Sequence, residues 1–363
     1  MKNNVLLVFI GFLICQSLVA QKSIVPRKNV GDQTLVAQVK PLGSKEWGFI
    51  NLDGEMVIGA KYRRSFPFSV DGFAPVYDAR AKEYCFIDLN DQKLNTEIKG
   101  FDLLSILGFG VKGFDDGLVP VRYYKKWGYL DTEGRVKIEC KYDKVTEFNG
   151  GYAAAEVRGN FVVLDQIGTE YPVNVDRVDN VKHFSEGLAP VYTVDNRAGF
   201  IDTYGNVVVE PQYESVGYFS GGFAWVKTFD KRIGFINRQG EVVIQPQFTK
   251  ANDFSPHDGL ARVELDGRWG YVNEYGEMMY VDDSEIIGTF YEGLCKGRKD
   301  DLVGFFDTNG EWVIPPKFQA VRDFKNGYAA AKSGDQWGLI NKDGEWVLNP
   351  EYEAVRDMEL VLY

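Results

Sequence analysis

The sequence predicts an all-β protein: tandem antiparallel β-repeats of about three strands each, stacked as a solenoid or superhelix. Three observations predict it. Near-identical phrases recur about every 35 residues, as in "GFFDTNGEWVIPPKF" from Gly304 and "GLINKDGEWVLNPEY" from Gly338. The chain is 14% aromatic and carries 39 Gly, the composition of many short strands joined by tight turns. Its hydrophobic fraction of 45% is that of an ordinary globular chain, which excludes disorder. The alternative is a closed, propeller-like ring. Nine units exceed the usual four to eight blades, and three strands fall short of a blade's four, so the open stack is expected.

The first element is the leader "MKNNVLLVFIGFLICQSLVAQK". One Lys, an apolar run from Val5 to Cys15 and then small and polar residues read as a secretory signal. The run is shorter than the roughly 20 apolar residues that span a bilayer. Cleavage is expected after Ala20, giving a signal peptide at 1–20, a linker at 21–33 and repeats at 34–363. No later segment has the uninterrupted apolar length of a membrane span. The mature chain is therefore expected in the periplasm, on the outer membrane or outside the cell. It keeps Cys85, Cys140 and Cys295, too few and too scattered for a disulfide framework or a metal site, so free thiols are expected.

The repeats align on an anchor residue at Gly48, Cys85, Gly128, Val162, Gly199, Gly234, Gly270, Gly304 and Gly338. Three residues on, every register has Asn or Asp, from Asn51 to Asn341. Three further on stands Gly in eight of nine, with Asp91 the exception. An Asx side chain accepts from the backbone two residues on and Gly supplies positive φ, so a hairpin turn is predicted at each. "PQYESV", "PQFTKA", "PPKFQAV" and "NPEYEAV" follow, and Pro is expected to end the pairing because it brings no N–H. The aromatic two residues on (Tyr213, Phe248, Phe318, Tyr352) is expected to plug the space beneath the turn. A phrase Gly-aromatic/Leu-Ala-x-Val then opens the next unit. Ordering 35 residues costs roughly 50 kcal/mol, more than one small unit regains, so burial between neighbours must make up the difference.

The phrases "KWGYLDTEG", "RWGYVNEYGE" and "QWGLINKDGEW", recurring with "GYAAAK" and "PQYESV", resemble the bacterial WG-repeat (KWG-type) family. The resemblance spans all nine units and implies a β-rich repeat protein, a class that usually has no assigned activity. Three units depart from it: Cys85 and Val162 replace the anchor Gly, and Lys99, Asp176 and Ser284 replace the Tyr or Phe.

Charge and motifs narrow the function. A formal charge of -11 repels phosphate backbones, so no nucleic-acid partner is expected. "GFGVKG" from Gly108 spells a dinucleotide fingerprint, but a hairpin phrase follows it where a helix is required, so it reads as an insertion. The turns lack the alternating oxygen ligands of a calcium loop. Asp282, Asp283 and Glu285 read as solvated charges, and His183 and His257 as surface turn residues. No metal, cofactor or catalytic residue is assigned, and a non-enzyme is expected. Trp47, Trp127, Trp269 and Trp337 precede the anchor and read as core, since other units have different apolar residues there. Trp225, Trp312 and Trp346 lie on strands and are the candidate binding residues. The expectation is an exported, non-catalytic scaffold binding a protein partner in the cell envelope. The alternatives are a carbohydrate-binding module that takes a glycan, and a polysaccharide-acting hydrolase.

Overall fold

Each repeat folds around its Asx turn. In all nine, the anchor-plus-three Asn or Asp oxygen accepts from backbone N–H groups two and four residues on, as Asn237 does from Gln239 and Glu241, both at 3.0 Å. The residue that closes the turn has positive φ throughout, including Asp91 at 60° in the unit that lacks the glycine. The turn chemistry read from the sequence is thus present nine times.

The computed structural model describes residues 33–106, 110–286 and 288–362. The leader 1–20 and nearly all of the linker 21–33 lie outside the described residues, as does part of "GFGVKG". Its Gly110–Val111 is described, and pairs with Ser105–Ile106 in a small hairpin. The described residues are strands and turns, and none of their segments is a helix able to cross a membrane.

Strand number corrects the sequence reading. The third to eighth repeats each form a four-stranded antiparallel sheet. In the sixth, Ser215–Val216, Phe223–Lys227, Ile233–Asn237 and Val242–Phe248 pair in that order; we call these strands a to d. Strand a hides in the "YESV" segment, beyond a proline that does not stop the pairing. Pro211, Pro246 and Pro316 sit within strand d. They fall at a β-bulge, where the ladder asks for no N–H. In the sixth repeat Ile233 faces Phe248 but Phe235 faces Ile244, so the extra residues of strand d bow out opposite Gly234.

That bulge explains the anchor glycine. A Cβ on Gly234 would lie 2.4 Å from the Ile244 carbonyl oxygen and 2.7 Å from the Pro246 nitrogen. The same backbone crowding meets Gly48, Gly128, Gly199, Gly304 and Gly338. All six stand in bulged repeats. Repeat four, with Val162, pairs strands c and d in unbroken register. A side chain and a bulge exclude each other here.

The strand-d aromatic is buried, yet not beneath the turn. Tyr142, Tyr213, Phe248, Phe318 and Tyr352 pair with the residue before the anchor, at the far end of the ladder from the turn. There they join the core shared with a neighbouring repeat.

Nine hydrophobic cores lie among the described residues, each built from two adjacent repeats. At eight of them a Phe from the segment ahead of strand b is at most 4% exposed: Phe68, Phe114, Phe148, Phe184, Phe219, Phe254, Phe290 and Phe324. Seven of these meet the ring just after an anchor edge-to-face, with centroids 4.7–4.9 Å apart. Such pairs add to what area burial alone provides.

The ninth core joins the last repeat to the first. Met358 takes the Phe position, fully buried beside Leu339 and Leu348 of repeat nine and Ala37, Val39 and Ile50 of repeat one. Strand Trp346–Leu362 pairs with Gln336–Ile340 through its first half and with Gln33–Pro41 through its second. The C-terminal segment thus supplies strand a of the first repeat. The free-ended stack expected from sequence is not what the ends adopt: first and last repeats are neighbours.

Candidate functional site

Ahead of strand b, repeats two to nine each contribute a segment in which two positions are constant and one varies, and strand Trp346–Leu362 supplies the counterpart for repeat one. Phe (or Met358) is held by the core. A few residues later an acidic residue or Asn with positive φ and then a Gly form a turn, as at Asp116, Glu186, Glu292 and Asn326. These turns are tied from repeat to repeat. Gly117, Gly151, Gly222 and Gly327 donate their N–H to Asp71, Asp116, Glu186 and Glu292 of the preceding segment at 2.8–3.2 Å.

The residue before the buried Phe is neither fixed nor alike in the nine segments. In order it is Pro67, Gly113, Glu147, His183, Tyr218, Asp253, Thr289, Asp323 and Asp357. Neighbouring repeats bring these side chains into contact. Lys112 pairs with Glu147 at 3.1 Å, and Glu147 faces His183 Nδ1 at 3.8 Å. The His183 ring stacks on Tyr218 with centroids 4.0 Å apart and planes 16° from parallel. The Tyr218 backbone N–H donates to Asp253 at 3.0 Å. Further on, Lys296 pairs with Asp323 at 2.9 Å and Arg322 with Asp357. The result is a polar belt running from repeat to repeat.

Its electrostatics follow from partial burial. Burial pushes Glu147 up, but its own backbone amide, Lys112 and His183 outweigh it and hold the carboxyl below its usual range. Burial pushes His183 down against the pull of Glu147. Asp253 is pushed up to about 6 by burial, although the Tyr218 amide and the Trp225 indole donate to it. Tyr291 is raised by burial and then by Asp323, Asp253 and Asp357, carboxylates from three separate segments acting on one phenol. Belt positions distant in sequence therefore converge.

Beside the belt, at the third to sixth repeats, lies a cavity of about 530 Å³. Val145, Ala154, Ala155, Phe161 and Val181 form its apolar surface. Lys112, Lys144, Lys182, Glu147 and Glu156 supply its charge, and His183 and Tyr218 close it on the belt side.

The sequence-derived candidates are dispersed. Trp225 reaches the belt through Asp253. Trp312 packs edge-to-face on Phe306 at 5.7 Å, and Trp346 on Phe318 at 5.5 Å. The three belong to different cores. The Trp residues before the anchors are half-buried, and three carry a cation over the ring: Arg356 on Trp47, Arg122 on Trp127, and Arg262 on Trp269 at 4.0 Å. His257 is the exposed turn residue expected, whereas His183 is a half-buried belt member. Asp282 and Asp283 pair with Arg268 and Lys299. The thiols are free, and Cys295 is pushed up to about 12 by burial, which makes it unreactive. The belt had one sequence signal: a position that varies in chemistry between two that do not.

The WG containing repeat family model matches residues 47–77, 127–161, 199–231, 233–269, 304–337 and 337–359, more than half the chain. These stretches start at or next to the anchors of the six bulged repeats. No curated protein matches the sequence. Among solved structures, the chain is similar to Hsv2p of Kluyveromyces lactis (11% identity, 68% of this chain and 96% of that one, TM-score 0.39). It is also similar to BamB of Moraxella catarrhalis (14%, 85% and 94%, TM-score 0.39). A third likeness is to the dihydro-heme d1 dehydrogenase NirN in complex with DHE (13%, 92% and 76%, TM-score 0.42).

Proposed function

This chain belongs to the WG-repeat family, and we propose that it is an exported, non-catalytic scaffold that holds a protein partner in the bacterial cell envelope. Its repeats form a closed, propeller-like ring of nine blades, fastened where strand Trp346–Leu362 joins Gln33–Pro41. The observation that carries the reading is the contrast within each segment between fixed and varied positions. Turns, bulges and buried rings recur, while the belt residue changes from acid to imidazole to phenol. A rigid frame presenting diverse side chains suits recognition, because divergent units tune what docks. Export rests on the leader at 1–20, and the overall charge of -11 argues separately against a nucleic-acid partner.

The glycan alternative draws less support, because three of the Trp rings, Trp47, Trp127 and Trp269, carry guanidinium groups over their faces. The test is cross-linked capture from envelope extract, run with the natural chain and with Asp323→Lys, which reverses one belt charge. One discrete partner, lost with the variant and recovered from the same fraction as a mature chain beginning at Gln21, is the expected result. A partner retained equally by both, or none, would overturn the reading.

A further inference from the structure

The cavity at the third to sixth repeats has a small side chain in its floor. Ala154 lies three residues after Gly151, and in the sixth repeat the same register holds Trp225, three after Gly222. The Trp225 indole covers Gly217, where an added Cβ would lie 2.2 Å from Nε1, and it donates to Asp253. The seventh and eighth repeats fill the register with Arg262 and Lys296. In the fourth Ala154 places a single methyl there, as Ala330 does in the ninth. Thr146 stands in place of Gly217, and Ala154 and Thr146 both line the cavity. Its volume falls within the roughly 300–1,000 Å³ of small-molecule sites.

Charge at the rim selects the ligand. Lys112 is matched by Glu147 at 3.1 Å and Lys144 by Glu156 at 2.7 Å. Lys182 is exposed, and no carboxylate among the described residues pairs with it. Three ammonium groups against two carboxylates leave one positive charge beside an apolar floor. A cation would be repelled, a neutral molecule would leave Lys182 unmatched, and a polyanion would compete with the two existing pairs.

We propose that this cavity binds a small organic monoanion, one carboxylate on an apolar, ring-bearing body, with the body on Ala154, Ala155 and Phe161 and the carboxylate at Lys182. The site is independent of the scaffold reading. It is tested by calorimetry with 4-phenylbutyrate and its neutral counterpart 4-phenylbutanol. The acid should bind about tenfold more tightly than the alcohol, as one charge-assisted hydrogen bond provides. Lys182→Gln, a surface change that leaves the fold intact, should abolish that difference and leave alcohol affinity unchanged. Ala154→Trp should abolish binding of both in protein that circular dichroism shows folded; Thr146 stands where the sixth repeat has Gly217, so a lowered melting temperature is expected with it. Equal affinity for acid and alcohol, binding of neither, or a Lys182→Gln variant that still prefers the acid would overturn the proposal. So would undiminished binding by folded Ala154→Trp.

Discussion

Gly304→Ala tests the link between anchor and bulge, because the same substitution at Gly59 should have the opposite sign. On Gly304 an added Cβ would lie 2.3 Å from the Ile314 carbonyl oxygen, 2.7 Å from the Pro316 nitrogen and 2.8 Å from the Pro315 carbonyl carbon. All three are backbone atoms, so no rotamer change relieves the contact. Strand Trp312–Phe318 must retreat by about 1 Å to reach ordinary van der Waals distance. Overpacking of this kind costs about 3 kcal/mol at the upper end of its range. Against that, replacing Gly by Ala in a strand recovers about 0.5–1 kcal/mol by restricting the unfolded chain. The net expectation is a loss of about 2 kcal/mol, or a melting temperature lower by about 3 °C for a chain of this size. Gly59, at an exposed position of strand Met56–Tyr62, has nothing within 4 Å of its added Cβ and no positive φ. There only the unfolded-state term remains, and Gly59→Ala should stabilise by about 0.5–1 kcal/mol. Thermal unfolding followed by circular dichroism reads both. Variants shifting in the same direction would refute the argument that the bulge dictates the glycine.

Two further outcomes follow from the closure and the belt. Met358→Phe installs the residue found at the other eight junctions and should change stability by less than about 1.5 kcal/mol, whereas Met358→Asp buries an unpaired carboxylate. Limited proteolysis of the Asp variant should cut first near the joined ends, and equal resistance of the two variants would contradict closure. Asp253 has a folded-state value of about 6, raised above the ordinary 3.8, so the folded chain holds its proton more tightly than the unfolded one. The stability this group adds is full below its unfolded value and is lost as pH rises through about 6. The loss amounts to about 3 kcal/mol at most. Asp253→Asn keeps an acceptor for the Tyr218 amide and the Trp225 indole while removing the charge. Urea denaturation from pH 4 to 8 should show the variant gaining on the natural chain across that window, and parallel curves would remove Asp253 as the cause.

Much of the fold was legible because its rules are local. An Asx oxygen at Asn237 and a glycine at Gly240 determine a turn within five residues, and nine repetitions make the pattern unmistakable. Proline misled for the same reason. Read locally, Pro211 or Pro246 ends a strand, yet opposite an anchor glycine it occupies the bulge and strand d runs on. The two-residue strand a, such as Ser215–Val216, is too short to declare itself by periodicity.

The sequence by itself determined the repeat, its turns and the irregularity of the second, fourth and seventh units, since each depends on residues a few positions apart. Only the tertiary structure decided which ends meet and which side chains face one another. Met358 does not resemble the Phe it replaces, and Glu147, His183 and Tyr218 are each about 35 residues from the next. Their contact depends on how successive sheets sit against each other, a relation set by packing of the junction cores and carried by no local pattern.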